Sequence, residues 1–380
     1  MNVMIVVTHL LGAGHLSRAL TLARAYTAQG HQATVVSGGM PVDQFDSAQI
    51  NLIQLPPLRS DGVIFTRLLT ADGAIADDAY LARRQSVQHE SMIQVQPNVL
   101  ITELYPFGRR VLRGEFLAML RAANSMTPVP LVLSSIRDIL APPSKPERAE
   151  VTDEVVAQYY DGVLVHSDAS STPLDQSWPV SEALRHKLHY TGYVAPTPAG
   201  PHPTKAGTGE ILVSAGGGSV GNALFDTAVE AAYLSDGNVW RLLVGGSDST
   251  ARIERLRAAA KGSATIIEPA RSDFRQMLYH AAASVSMCGY NTALDLLQSG
   301  TPAVFIPFGD GGEVEQTLRA QSLTRLEGIR MIKADELTPQ NLLRTVADAQ
   351  TKRRDPGAGL HFDGAAKSVQ ITEDLLKGRK

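Results

Sequence analysis

Cysteine is nearly missing: the 380 residues contain one, Cys288. A lone thiol excludes an internal disulfide and any metal site built on a cysteine cluster. It sits in an apolar run, where a small buried hydrophobe is its expected role. Long apolar runs are missing too. No uncharged stretch reaches the roughly 18 residues that a membrane helix needs, and the opening "MNVMIVVTHLLGAGH" has neither a basic leader region nor a small-residue cleavage site. A cytoplasmic, non-spanning protein is expected, with at most a peripheral contact at the inner face of the membrane. No Asp-x-Asp, His-x-His or HExxH spacing occurs, so a metal-dependent mechanism has little support and no cofactor is expected. Neither charge dominates: 35 Lys and Arg stand against 38 Asp and Glu, a formal net of -3, which leaves no electrostatic footprint for nucleic acid.

What is present is a chain 44% hydrophobic and 19% charged, enough for a large core, and its length suggests two domains. "NVMIVVT" (2–8) is a β-branched apolar run, and "HLSRALTLARAYTAQG" (15–30) follows with Leu16, Ala19, Leu20, Ala23 and Tyr26 at helical spacing before Gly30. Further buried strands are predicted at 31–39, 51–56, 99–104, 130–136 and 162–167. Apolar runs alternating with helices imply an α/β fold with a mostly parallel sheet covered on both faces. The Pro- and Gly-rich "VAPTPAGPHPTKAGTG" (194–209) has no apolar period and reads as an interdomain linker. The pattern then restarts with "EILVSA" (210–215), the helix "NALFDTAVEAAYL" (222–234), "VWRLLVGG" (239–246), "ATIIEP" (264–269), the helix "DFRQMLYHAA" (273–282), "SVSMCG" and "PAVFIP". Two doubly wound, Rossmann-like domains facing a central cleft are expected, 1–195 and 210–360 with a hinge at 196–209, and ligands belong at the carboxyl ends of their strands.

The first loop, "THLLGAGHLSR" (8–18), puts Gly12, Gly14 and His15 between a strand and a helix. A dinucleotide fingerprint needs a third Gly where Ser17 stands and an acid at the end of the second strand, where "SGG" stands instead, so that cofactor is disfavoured. The glycines allow a close approach to the backbone, and His15 is either a general base offered to the cleft or a solvated surface residue. Arg18, one turn on, either neutralises a phosphate or is solvated. The second loop, "SAGGGSVGN" (214–222), does satisfy GxGxxG through Gly216, Gly218 and Gly221 and opens a helix, either as an anion site or as a tight turn packed through its glycines. In "CGYNTALDLLQSG", Gly289, Asn291 and Thr292 stand at another helix start with Asp295 one turn inside, a carboxylate that either complements the helix dipole or holds ribose hydroxyls. "PFGDGGEVEQ" then sets Asp310, Glu313, Glu315 and Gln316 past the next strand, the mixture of acceptors and donors that a neutral polyol requires. "SSIRDIL" places Arg137 and Asp138 at a strand end, facing the cleft or each other. "YPFGRRVLRGEFLAML" (105–120) mixes arginines with an apolar stripe and reads as an amphipathic helix, with a membrane surface or acidic acceptor as the functional reading beside it.

Taken together, "GAGHLSRALTLA", "SAGGGSVGN" and "CGYNTALDLLQSGTPAVFIPF" followed by "EVEQTLRA" resemble glycosyltransferase family 28, and "IRDIL", "YYDGVLVHSD" and "YTGYV" resemble a bacterial set of predicted glycosyltransferases within it. The resemblance implies a GT-B fold, with a donor nucleotide-sugar held by the second domain, an acceptor by the first, and a C-terminal helix (361–380) crossing back. It also implies an inverting, metal-independent hexosyl transfer from an NDP-sugar, UDP first, to a small-molecule, lipid-linked or natural-product acceptor. Carried over by position, it makes His15 the general base, gives Gly217, Gly218 and Ser219 to the diphosphate, the backbone near Ala270 and Arg271 to the nucleobase, Asp295 to ribose, and Glu315 and Gln316 to the sugar. The reading of the residues themselves adds Asp138 as a second candidate for the general base, Gly12, Gly14, Arg18 and Arg137 on the acceptor side, and Gly216, Gly289, Asn291, Thr292 and Glu313 on the donor side. The loop holding Asp310 and Glu313 is one residue longer than in the peptidoglycan enzyme of the family, so donor choice is expected there. The "GxGHxxR" start also resembles a nucleotide-sugar hydrolase, and the same fold would serve an epimerase or a non-catalytic nucleotide-sugar binder.

Overall fold

The computed structural model describes residues 1–10, 13–42, 50–60, 67–215, 221–235, 237–246, 248–307, 314–357 and 359–379. They form two compact units: Met1–Ala169, Trp178–Val194 and Asp363–Lys380 make unit 1, and Ser170–Ser177 and Ala195–Phe362 make unit 2.

Unit 1 begins β1 (Asn2–Val7), α1 (Gly14–Ala28), β2 (Gln32–Gly39), β3 (Asn51–Ser60), β4 (Leu68–Leu69), α2 (Asp78–Val95), β5 (Val99–Glu103) and α3 (Arg113–Asn124). It continues with β6 (Leu131–Arg137), α4 (Glu147–Tyr159), β7 (Gly162–His166), α5 (Glu182–Arg185) and β8 (Leu188–Tyr190). The strands form one sheet in the order β4-β3-β2-β1-β5-β6-β7-β8, parallel except for β4 against β3. Its centre is the β-branched run seen in the sequence: Ile5 lies in register between Val35 and Ile101, all three fully buried. Such strands, covered on both faces, need no alternation of polar residues.

Unit 2 repeats the scheme with β9 (Ile211–Ser214), α6 (Asn222–Leu234), β10 (Trp240–Val244), α7 (Ser249–Ala259), β11 (Thr265–Pro269) and α8 (Phe274–Leu278). β12 (Ala283–Ser286), α9 (Tyr290–Ser299), β13 (Ala303–Phe305), α10 (Glu315–Leu323), β14 (Ile329–Met331) and α11 (Pro339–Gln350) complete it. All its strand pairs are parallel, in the order β11-β10-β9-β12-β13-β14. α11 starts where its sequence says it should: Thr338 caps the Asn341 amide at 3.2 Å and Pro339 opens the first turn. The chain then returns to unit 1 as α12 (Gly364–Gly378), which packs on α1, Tyr26 hydroxyl meeting Thr372 Oγ1 at 2.6 Å and His31 meeting Glu373 at 3.0 Å. No helix of the described residues is long and apolar enough to cross a membrane.

Two boundaries differ from the sequence reading. The Pro-rich stretch is part of unit 2: His202 is buried and pairs with Asp273 at 2.9 Å, and Gly207, at φ +84°, packs so closely on Met277 that a side chain there would collide with its carbonyl. Residues 170–177 also group with unit 2, where the Ser322 hydroxyl bonds the Ser171 carbonyl. The stretch 105–120 is not one helix: Arg109 takes a left-handed backbone (φ 60°), a 3₁₀ turn covers Arg110–Leu112, and α3 follows.

The "SGG" at the end of β2 has a packing reason. A Cβ on Gly38 would strike Thr8 Oγ1 and the Arg84 guanidinium, and one on Gly39 would strike the His9 carbonyl and ring. Arg84 is fully buried on α2; its Nε and Nη2 each donate to Glu115 of α3 at 2.9 Å, and Nη1 donates to the Gly38 carbonyl at 2.9 Å and to the Pro56 carbonyl. One guanidinium thus joins β2, β3 and two helices. Arg84→Ala, which strands the Glu115 carboxylate, is expected to lower unfolding free energy by about 3–5 kcal/mol in urea titrations, and an Arg84→Met, Glu115→Leu pair to recover most of it. A loss within 1 kcal/mol for the single change would contradict this (about the size of an exposed pair).

Candidate active site

In unit 1 the polar groups gather where β1, β5, β6 and β7 end. His15 enters on the first turn of α1, and Glu103 is the last residue of β5. The Glu103 side chain has no exposed surface; His15 keeps 19% of its own. His15 Nδ1 lies 3.0 and 2.9 Å from the two Glu103 oxygens, and Arg18, one turn further along α1, binds Glu103 Oε1 through Nη2. Burial pushes the Glu103 carboxyl up, but the charges and hydrogen bond of His15, Arg18 and Arg109 outweigh it and hold the group below the usual carboxylate range. A carboxylate only accepts, so the proton between them belongs to Nδ1 and the lone pair to Nε2. Burial also lowers His15 to about 4, with Arg109 and Arg18 adding to it against the opposing pull of Glu103. The imidazole is therefore neutral at pH 7, in one tautomer, and among the described residues nothing engages its basic Nε2.

Around this dyad the backbone is pinned by side chains. Arg109 Nε donates to the Thr8 carbonyl, and His9 Nε2 meets the Met40 carbonyl at 2.9 Å. Behind it, His166 at the end of β7 meets Ser135 Oγ at 2.8 Å and Thr191 Oγ1 at 2.9 Å; complete burial, with Arg18 adding, lowers it to about 3. Of the other residues expected on the acceptor side, Gly14 opens α1, Gly12 lies outside the described residues, and Arg137 Nε donates to the Ile139 carbonyl at 3.1 Å. Asp138, the second candidate for the base, is 1% exposed.

In unit 2, Gly216, Gly217, Gly218, Ser219, Asp310 and Glu313 lie outside the described residues. Gly221, which follows the first four, has φ +92° and directs the chain into α6; a Cβ there would strike that of Ala215. At the start of α9, Gly289 is the extended N-cap residue, and Asn291 and Thr292 fall in the first turn. Asp295 Oδ1 accepts from Arg275 Nε at 2.8 Å; burial raises its carboxyl despite that partner. Arg275 Nη2 also donates to the Thr197 carbonyl and to Gln298 Oε1, both at 2.8 Å, and Gln298 Nε2 donates to the Pro196 carbonyl at 2.8 Å. Arg271 is held by two bonds to Asp273, 2.8 and 2.6 Å, and is raised chiefly by them. Glu315 and Gln316 form the first turn of α10. That helix is tied to the start of α9 by Arg319, whose Nη1 donates to the Cys288 carbonyl at 3.0 Å and whose guanidinium lies 5.7 Å from the Tyr290 ring centre. Arg319 thus sets the two helix starts bearing Asn291, Thr292, Glu315 and Gln316 beside each other.

Sequence reasoning missed Glu103, Arg109, His166, Arg275 and Arg319. For Glu103 a signal was there, an acid closing the apolar strand "VLITE".

Two doubly wound units of this kind define the GT-B class of glycosyltransferase folds. The solved structures bear this out: Acinetobacter baumannii MurG superposes with a TM-score of 0.65 at 14% identity, over 98% of this chain and all of that one. The calicheamicin glycosyltransferase CalG4 superposes with 0.65 at 16%, over 100% and 99%. Residues 216–362, within unit 2, match the glycosyltransferase family 28 C-terminal domain, and the two units have the GT-B fold. Among curated relatives, the UDP-N-acetylglucosamine–N-acetylmuramyl-(pentapeptide) pyrophosphoryl-undecaprenol N-acetylglucosamine transferase of Cupriavidus pinatubonensis is 27% identical over 205 residues, 52% of this chain and 54% of that protein. That of Granulibacter bethesdensis is 29% identical over 154 residues, 39% and 40%. The match spans about half the length of these relatives, or less.

Because His15 titrates at about 4 when folded and at its ordinary 6.5 when unfolded, unfolding takes up a proton between those values. Its contribution to stability is complete above pH 6.5 and is lost as pH falls toward 4. His15→Gln should flatten the fall in unfolding free energy across that window by roughly 3 kcal/mol; an unchanged slope in urea titrations from pH 7 to 4 would refute the assignment.

Proposed function

We propose that the protein is an inverting, metal-independent glycosyltransferase that moves a hexosyl group from an NDP-sugar, UDP first, to an acceptor hydroxyl. The observation that carries the reading is the buried Glu103–His15 dyad, which holds a neutral imidazole in the Nε2-basic tautomer at a strand end. In the proposed reaction Nε2 takes the acceptor hydroxyl proton as the oxygen forms its bond to the anomeric carbon. The bond from that carbon to the phosphate oxygen breaks with inversion, and the nucleoside diphosphate leaves. Glu103 takes no proton; it fixes the tautomer and stabilises the imidazolium. The family 28 match of unit 2 supports a donor site there. The backbone amides at the Gly221 end of α6 would bear the departing charge, Asp295 the ribose with the carboxylate oxygen that Arg275 does not occupy, and Glu315 and Gln316 the sugar hydroxyls. A uridine donor agrees with the names of the curated relatives. The acceptor is a small-molecule, lipid-linked or natural-product hydroxyl, a lipid-linked one being reached by peripheral contact with the inner face of the membrane.

Scanning melts against UDP-, dTDP- and GDP-sugars test the donor, since a ligand at 100 times its Kd should stabilise the fold by about 2.7 kcal/mol; no shift with any nucleotide would end the donor reading. His15→Ala should retain that stabilisation and lose about 100-fold or more in turnover, and Glu103→Gln should lower kcat by at least about tenfold with the donor KM unchanged. Wild-type turnover in His15→Ala would remove the base. Incubation with donor alone separates the neighbouring chemistries: rapid release of free sugar means hydrolysis, and interconversion without release of nucleotide means epimerisation.

A further inference from the structure

Where the loop after β5 and the Arg110–Leu112 turn meet α4, unit 1 holds a cavity of about 230 Å³ with an almost wholly apolar wall. Tyr105, stacked on Phe116 at 4.4 Å between ring centres, forms that wall with Pro106, Val151 and Val155. The mouth has the opposite character. Arg110, Arg113, Lys145 and Arg148 line it against a single carboxylate, Glu147. Among the described residues none of these four cations has an ion-pair partner, and Arg148 stands close enough to Arg110 to repel it. Burial and the nearby Arg148 lower the pKa of Arg110, a sign of that crowding. An anion at the mouth would relieve the repulsion, and an apolar body behind it would fill the space. Neither alone satisfies the site.

We propose that this cavity binds a small ligand with an apolar body, an alkyl chain or a ring, and one phosphate or carboxylate head placed among Arg110, Arg113, Lys145 and Arg148. The site shares no residue with the His15 dyad and does not depend on the transferase reading. Calorimetric titration of the full chain with octyl phosphate, octanoate, octanol and octyltrimethylammonium, all below their micelle concentrations, tests it. Octyl phosphate or octanoate should bind saturably and one-to-one, the stronger of the two naming the head group. Octanol should bind about tenfold or more weaker and the cation not at all. Arg110→Gln with Arg148→Gln should weaken the anion by about tenfold or more and leave octanol and the melting temperature unchanged, since both side chains lie at the mouth. Val151→Trp, at an exposed position, should block every ligand. Equal affinity for octanol and the anions, or an anion affinity indifferent to the arginine pair, would overturn the proposal. So would binding to vesicles of anionic phosphatidylglycerol without binding of monomeric octyl phosphate, which would mean adsorption to a surface and no occupied cavity.

Discussion

A carboxylate with no exposed surface is the constraint around which the first unit is arranged. Glu103 ends a strand that is apolar and buried throughout, and water does not reach its oxygens. Moving such a charge out of water costs several kcal/mol unless nearly every lone pair is answered. Arg18 and His15 answer them from one helix, three residues apart, so α1 must approach β5 at the turn that presents both. The loop between β1 and α1 therefore has to deliver the helix at a fixed place. The Arg109 bond to the Thr8 carbonyl holds the strand side of that loop.

Arg84 performs the corresponding task one layer away. Its guanidinium has five N–H groups and finds acceptors for them in the two Glu115 oxygens, the Gly38 and Pro56 carbonyls and, at 3.5 Å, Thr8 Oγ1. Only glycine at 38 lets it come that close. The same dipeptide that argues against a dinucleotide, by lacking an acid, is thus there to admit a cation. Two buried ion groups of opposite character thus hold the ends of β2 and β5 and the middle of β3 to the helices beside them.

The alternation of strands and helices, the restart near residue 210 and the position of His15 were legible, because parallel strands buried on both faces appear as apolar runs and a loop histidine at a helix start is local. What was not legible is pairwise and distant. Glu103 lies 88 residues from His15, Arg84 31 from Glu115, and Arg319 31 from Cys288. None of these spacings carries a period. The Pro-rich stretch misled for a related reason: composition argued for a free linker, whereas His202 and the carbonyls of Pro196 and Thr197 are claimed by Asp273, Gln298 and Arg275 from far along the chain. Asp295 was picked out as an open acceptor for the same want of its partner, since nothing local announces Arg275.

The base strength of the dyad follows from the balance of its charges. Burial opposes any charge on the imidazole and outweighs the pull of Glu103 toward the protonated form, with Arg109 and then Arg18 adding to it. The result is a base that is available wherever the protein is folded yet weak, at about 4. For abstraction of a proton from a free hydroxyl that would be a poor match to neutral pH. In the proposed transfer the demand is different, because the hydroxyl oxygen becomes acidic as it bonds to an electron-deficient anomeric carbon, and proton transfer can lag behind bond formation. A weak base in a fixed tautomer then suffices, and it stays unprotonated well below pH 7. Arg18 adds least to that lowering, and its larger task is to answer the buried carboxylate itself.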